Sequence, residues 1–157
     1  MPNEKAEKNG MGERHMTETV NLSFSYKVKE ELSLHFGNAR HCHIAELAAF
    51  VNLCGEIGQF QDGFCIKIRT ENLLVAKKCF TLLKNTFNIR VDISVRTGSK
   101  KRRSYLLLVR SAQDAERILM ATGVLHMVDG EKQLQNRMYA TVIGSICCKR
   151  AYVRGAF

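Results

Sequence analysis

The spacing of apolar positions changes several times along the 157-residue chain, and each change marks an element. In residues 24–36, Tyr26, Val28, Leu32 and Phe36 lie loosely on one side of a charged segment, which predicts a short helix ending near Gly37. The stretch AELAAFVNLCGEI, residues 45–57, stays small and apolar up to Gly55, so a second helix is predicted over 41–54. From 56 to 70 the period falls to two. Phe64, Ile66 and Ile68 alternate with Cys65, Lys67 and Arg69, and Gln61, Asp62 and Gly63 supply the turn of a hairpin. Leu73, Ala76, Phe80, Leu83 and Phe87 then recur at spacings of three and four, predicting an amphipathic helix over 71–87 with its lysines on the outer face.

The same order repeats. Val91, Ile93 and Val95 alternate with Asp92, Ser94 and Arg96, TGSKKRRS forms a hairpin loop, and YLLLV (105–109) is a strand apolar on both faces. Ser111 with Asp114 fits a capping box, and Ala115, Ile118, Leu119 and Thr122 line a helix stopping at Gly123. After a polar stretch around 126–132, residues 134–157 read as helical again. Helix, strand, strand, helix, strand, strand, helix predicts an α+β fold, an antiparallel sheet with helices on one face and the other face open. Residues 1–19 are polar, mixed in charge and aperiodic, and read as a disordered tail. The end at Phe157, on a rising apolar helix, reads as a truncation.

Composition narrows the class. A 17.8 kDa chain with 45% hydrophobic residues suffices for one domain with a sizeable core. No apolar run approaches the roughly 18–20 residues that span a bilayer, and 1–19 lacks the apolar centre of a signal peptide, so a cytoplasmic protein with no membrane partner is expected. The net charge is +9, and its placement is more informative than its size. Between Phe64 and Arg110 there are 12 Lys or Arg against only Glu71 and Asp92, leaving the remainder of the chain slightly acidic. A basic excess confined to one segment points to a polyanion such as nucleic acid.

Candidate chemistry is sparse. Six cysteines without a CxxC pair, in a chain with no secretion signal, read as reduced thiols. His41, Cys42 and His43, with Cys147 and Cys148, offer soft ligands only if the fold joins them. No metal centre and no cofactor is expected. Gly55, Gly58 and Gly63 match no phosphate-binding loop, and no Ser/His/Asp or Cys/His arrangement stands out.

FSYKVKEEL, CHIAELAAFVNLCGEI, IKIRTENLLVAKKCFTLLK, the basic hairpin before YLLLVR and the terminal CCKRAYVRGAF together resemble the N-terminal part of the WhiA family of bacterial sporulation and cell-division transcription regulators. The resemblance covers roughly residues 22–157 and implies a domain similar to LAGLIDADG homing endonucleases, followed in the family by a helix-turn-helix domain that this chain lacks. It implies a first half-domain over 20–146 and the start of a second motif helix over 147–157. Laid on this sequence, the nine-residue motif begins at Leu47, has Ala49 at its small position and ends at Gly55. Its acidic position is Cys54, and a thiol is a poor ligand for magnesium. Rescue by Glu56 is disfavoured, so the chain is expected not to be an enzyme.

What the resemblance implies instead is double-stranded DNA as partner and a place in the nucleoid. Lys67, Arg69, Ser94 and Arg96 would face the duplex from the sheet, Lys100, Lys101, Arg102 and Arg103 would follow phosphates at the hairpin tip, and Lys149, Arg150 and Arg154 would add to them from the last helix. Ala45, Ala48, Ala49 and Asn52 would let a partner helix approach. The alternatives are a module meeting a protein or ligand through the sheet face or the motif helix and, less favoured, a residual metal-dependent nuclease.

Overall fold

The computed structural model describes residues 23–60, 63–99, 101–135 and 140–157. The tail expected over 1–19, the turn residues Gln61 and Asp62, and Lys100 lie outside the described residues.

Helix α1 (Phe24–Leu34) leads to α2 (Arg40–Cys54), followed by strands β1 (Gly55–Phe60) and β2 (Gly63–Thr70). Helix α3 (Leu73–Phe87), strands β3 (Asp92–Thr97) and β4 (Arg103–Val109), and helix α4 (Ala112–Ala121) repeat that order. Short strands β5 (Leu125–Val128) and β6 (Glu131–Leu134) and helix α5 (Ile146–Ala156) complete the described chain.

Local signals explain the boundaries. Asn72 Oδ1 accepts from the amides of Leu74 and Val75 at 2.9 and 3.2 Å, satisfying two donors at the start of α3. At its other end Asn88 adopts a left-handed conformation (φ 51°), while Arg40 and Arg117 donate to the carbonyls of Thr86 and Phe87. Ser111 and Ser145 cap α4 and α5 in the same way as Asn72 caps α3.

The main sheet is antiparallel with strand order β1-β2-β4-β3. Phe64, Ile66 and Ile68 of β2 and Tyr105, Leu107 and Val109 of β4 point into the core, where they meet residues such as Leu47, Leu82, Ile118 and Leu119. Helices α2, α3 and α4 pack over β2, and α3 and α4 also over β4. The opposite face is open, as the α+β reading anticipates. Helix α2 runs through the middle of the molecule: every residue from Ala45 to Val51 is buried.

Three expectations change. Residues 134–157 are not one helix: α5 begins only at Ile146, and the nominally polar stretch folds into the β5–β6 hairpin instead. The residues of β6, EKQL, are all exposed, so no buried face imposes the alternation that would reveal a strand. The α3 lysines do not share one face either. Lys77 and Lys84 are exposed, but Lys78 is buried. Lastly, Ile93 and Val95 sit on the same side of the sheet as Leu107 and Tyr105, yet they are 48% and 57% exposed because β3 is an edge strand beyond the helical cover.

Candidate nucleic-acid interface

Cross-strand partners in an antiparallel sheet project to the same face, so the register defines the open surface. Lys67 lies opposite Leu108, which lies opposite Asp92; Arg69 lies opposite Leu106, which lies opposite Ser94; and Ser104 lies opposite Arg96. Lys67 and Arg69 on β2 and Ser94 and Arg96 on β3 thus flank the half-buried Leu106 and Leu108 of the central strand β4. The two rows are two strand spacings apart, about 10 Å. Two acidic residues share the face. Asp92 pairs with Arg110 at 2.9 Å, and Glu56 stands opposite Lys67.

The β3–β4 hairpin carries further cations past the sheet. Its turn is closed by the Gly98 amide donating to the Arg102 carbonyl at 2.9 Å and the Lys101 amide donating to the Gly98 carbonyl at 3.0 Å. Lys101 takes a left-handed backbone (φ 55°), which costs a residue with a side chain roughly 1–2 kcal/mol. Lys101, Arg102 and Arg103 are exposed.

Helix α5 divides its cations. Lys149 and Arg150 face solvent, whereas Arg154 turns inward and reaches Glu46 Oε2 at 3.4 Å. Glu46 is fully buried in α2 and also pairs with the buried Lys78. Lys78 Nζ in addition donates to the Leu32 carbonyl at 2.7 Å and stands 5.4 Å above the Phe36 ring. Burial lowers the Lys78 pKa, with Glu46 opposing the shift. Sequence reasoning missed this ion triad. Lys77-Lys78 reads as a solvated pair, and Glu46 stands inside an apolar run where its partners come from 32 and 108 residues further along.

The small residues bring α2 and α5 together. Ala45 and Cys42 pack with Ala151 and Cys148, and Gly155 sits so close to α2 that a Cβ there would lie 2.5 Å from the Glu46 carbonyl and 2.9 Å from Ala49 Cβ. Ala48 is buried as well, while Asn52 borders a cleft shared with Val124, Leu134 and Gln135.

The arrangement does not fit a LAGLIDADG metal centre. Cys54, at the position of the motif's acid, is an exposed thiol at the end of α2, and Glu56 points to the open sheet face opposite Lys67. Neither supplies a hard carboxylate ligand where the motif would place one.

Of the soft-ligand candidates, the fold joins His41, Cys42, Cys147 and Cys148, which reopens the expectation of no metal centre. His43 lies outside that group, and its Nε2–H donates to the Gly37 carbonyl at 2.6 Å. Burial pushes the Cys42 thiol up to about 11, whereas hydrogen bonds with Ser145 and Cys42 hold that of Cys147 below its ordinary value.

A family model described as the WhiA N-terminal LAGLIDADG-like domain matches residues 40–125. Among curated proteins, a probable cell division protein WhiA of Lachnoclostridium phytofermentans is 43% identical over 141 residues, covering 87% of this chain and 44% of that protein. Another, from Clostridium botulinum strain Eklund 17B, is 33% identical over 138 residues, again covering 87% of this chain and 44% of the relative. The chain therefore spans less than half the length of these relatives. Among solved structures, that of full-length WhiA from Thermotoga maritima superposes with a TM-score of 0.55 at 17% identity, covering 85% of this chain and 38% of the other, a likeness of fold.

Proposed function

This chain belongs to the WhiA family, to its N-terminal LAGLIDADG-like domain, and on that premise we propose that it is a DNA-binding regulatory module without nuclease activity. The observation that carries the reading is the open sheet face, where register aligns Lys67, Arg69, Ser94 and Arg96 on one surface and the hairpin extends it with Lys101, Arg102 and Arg103. Duplex DNA rewards such a surface by counterion release, which needs cations in register with phosphates and little sequence readout. Leu106 and Leu108 between the two rows add apolar contact without directional demands. Lys149 and Arg150 extend the cationic set from α5, and Arg154 drops out of it because Glu46 already holds its guanidinium. The relatives' description as cell division proteins supports a role in controlling division, and the family resemblance extends that role to transcription and sporulation.

Fluorescence titration with duplex DNA at low and moderate salt tests the reading. Affinity should fall steeply with salt, and replacing Lys101, Arg102 and Arg103 with Gln should reduce the log–log salt slope by about one for each phosphate that is no longer neutralised. Affinity indifferent to both changes would hand the face to a protein or small ligand. For the nuclease alternative, incubation with magnesium or manganese should leave plasmid DNA intact. Nicking that disappears in Glu56→Gln would reverse that conclusion.

A further inference from the structure

Helices α2 and α5 run in the same direction, with their first turns side by side. Cys42 meets Cys148 there, and Glu46 and Ala49 meet Arg154 and Gly155 further along. His41-Cys42 lies in the first turn of α2 and Cys147-Cys148 in the first turn of α5. The four ligand atoms, His41 Nδ1 and the three Sγ, all fall within 4.8 Å of one another.

These distances are close to those around a single tetrahedral ion. A tetrahedral zinc ion with Zn–S of about 2.3 Å and Zn–N of about 2.0 Å sets its nitrogen roughly 3.5 Å from each sulfur and its sulfurs roughly 3.8 Å apart. His41 Nδ1 stands 3.1 Å from Cys148 Sγ, 3.5 Å from Cys42 Sγ and 4.0 Å from Cys147 Sγ, a spread around that value. A polynuclear iron–sulfur cluster holds its thiolates further apart than this group allows. We infer that His41, Cys42, Cys147 and Cys148 form a structural Cys3His site for a single zinc-class ion that ties the first turn of α2 to that of α5.

The surroundings suit such a centre. Three thiolates and a neutral imidazole around a divalent ion carry one net negative charge, and the site lies at the positive ends of two helix dipoles. Ser145 Oγ lies 3.0 Å from both Cys147 Sγ and Cys148 Sγ, where its hydroxyl can hydrogen-bond to a metal-bound thiolate. Arg150 and Arg154 line the same cleft as His41, Cys42 and Cys147 and add positive potential. Cys42 and Cys148 are buried while His41 and Cys147 are exposed, so the group has a dry inner side and an entry path for the ion. On binding, each coordinating thiol loses its proton to solvent as its S–Zn bond forms, and no electron is transferred. Affinity should therefore fall as pH drops.

The test is metal content. The 157-residue chain, produced in zinc-supplemented medium and purified under reducing conditions without chelator, should retain about one zinc per chain. Cobalt(II) in place of zinc should give the visible bands of a tetrahedral thiolate centre, and stripping the ion should lower the unfolding temperature until zinc is restored. Cys147→Ser, at an exposed position, should lose zinc and the cobalt bands while keeping its circular dichroism; Cys54→Ser, elsewhere on α2, should keep both. Wild-type protein with reduced thiols holding less than about a tenth of an equivalent would overturn the assignment. So would full metal content in Cys147→Ser, equal loss in Cys54→Ser, or a disulfide between α2 and α5 under reducing conditions.

Discussion

Glu46→Gln is expected to remove about 3–5 kcal/mol of folding stability, the usual cost of leaving one member of a buried ion pair behind. Glu46 has no solvent exposure and Lys78 only 3%, so neither water nor salt can replace the missing carboxylate. Glutamine keeps the shape and removes the charge, which isolates the electrostatic effect from a packing defect. For a domain of this size the melting temperature should fall by about 6–20 °C, followed by circular dichroism during thermal and urea unfolding. A loss below about 1 kcal/mol would mean that the three groups are not coupled as described. The double variant Glu46→Gln, Lys78→Met should recover part of the stability by removing the stranded ammonium.

The pH response of Glu46→Gln provides a second readout. Burial lowers the Lys78 pKa from its ordinary 10.5 in the fold, so between the two values the unfolded chain binds more protons than the folded one. The group's contribution to stability accordingly grows as pH rises toward 10.5. Without Glu46 the folded value falls further, and the variant should gain stability over a wider alkaline window than the parent.

Gly155→Val is the second large effect, expected at about 1–3 kcal/mol from overpacking alone and more if α5 is displaced. The added Cβ would press on the Glu46 backbone carbonyl and Ala49 Cβ, neither of which is the movable end of a long side chain. Helix α5 would have to shift away from α2, pulling Arg154 from Glu46 and Cys148 from His41. Because the triad is shared, the effects of Gly155→Val and Glu46→Gln should not add, and their interaction energy is measurable in a double-mutant cycle. Stability of Gly155→Val within about 0.5 kcal/mol of the parent would contradict the close pairing of these helices.

Periodicity was sufficient for the elements that bury one face. Phe64, Ile66 and Ile68, or Ala115, Ile118 and Leu119, repeat at the spacing of the structure they form because the core selects that spacing. It failed where burial is lacking or tertiary. Strand β6 buries none of its residues, so its sequence need not alternate. The buried Lys78 looks like its exposed neighbour Lys77, since only the position of Glu46 on another helix distinguishes them. The cationic residues of the sheet face could be identified from alternation along β2 and β3, but their alignment across β4 depends on pairing register, which no local signal supplies. His41, Cys42, Cys147 and Cys148 could be singled out by residue type, but not their assembly: the two halves are 107 residues apart in sequence and meet only where two helices begin together.

The junction of α2 and β1 has a mechanical consequence. The helix ends at Cys54 and the strand begins at Gly55 with no intervening loop, in a turn so tight that a Cβ on Gly55 would strike the Val51 carbonyl. A fifteen-residue helix is a rod about 22 Å long, and a tilt of about 10° at one end displaces the other by about 4 Å. A reorientation of α2 against α5 would have only the backbone at Gly55 in which to be taken up before it reached β1. The strand joined to α2 in this way is the one paired with β2, which carries Lys67 and Arg69.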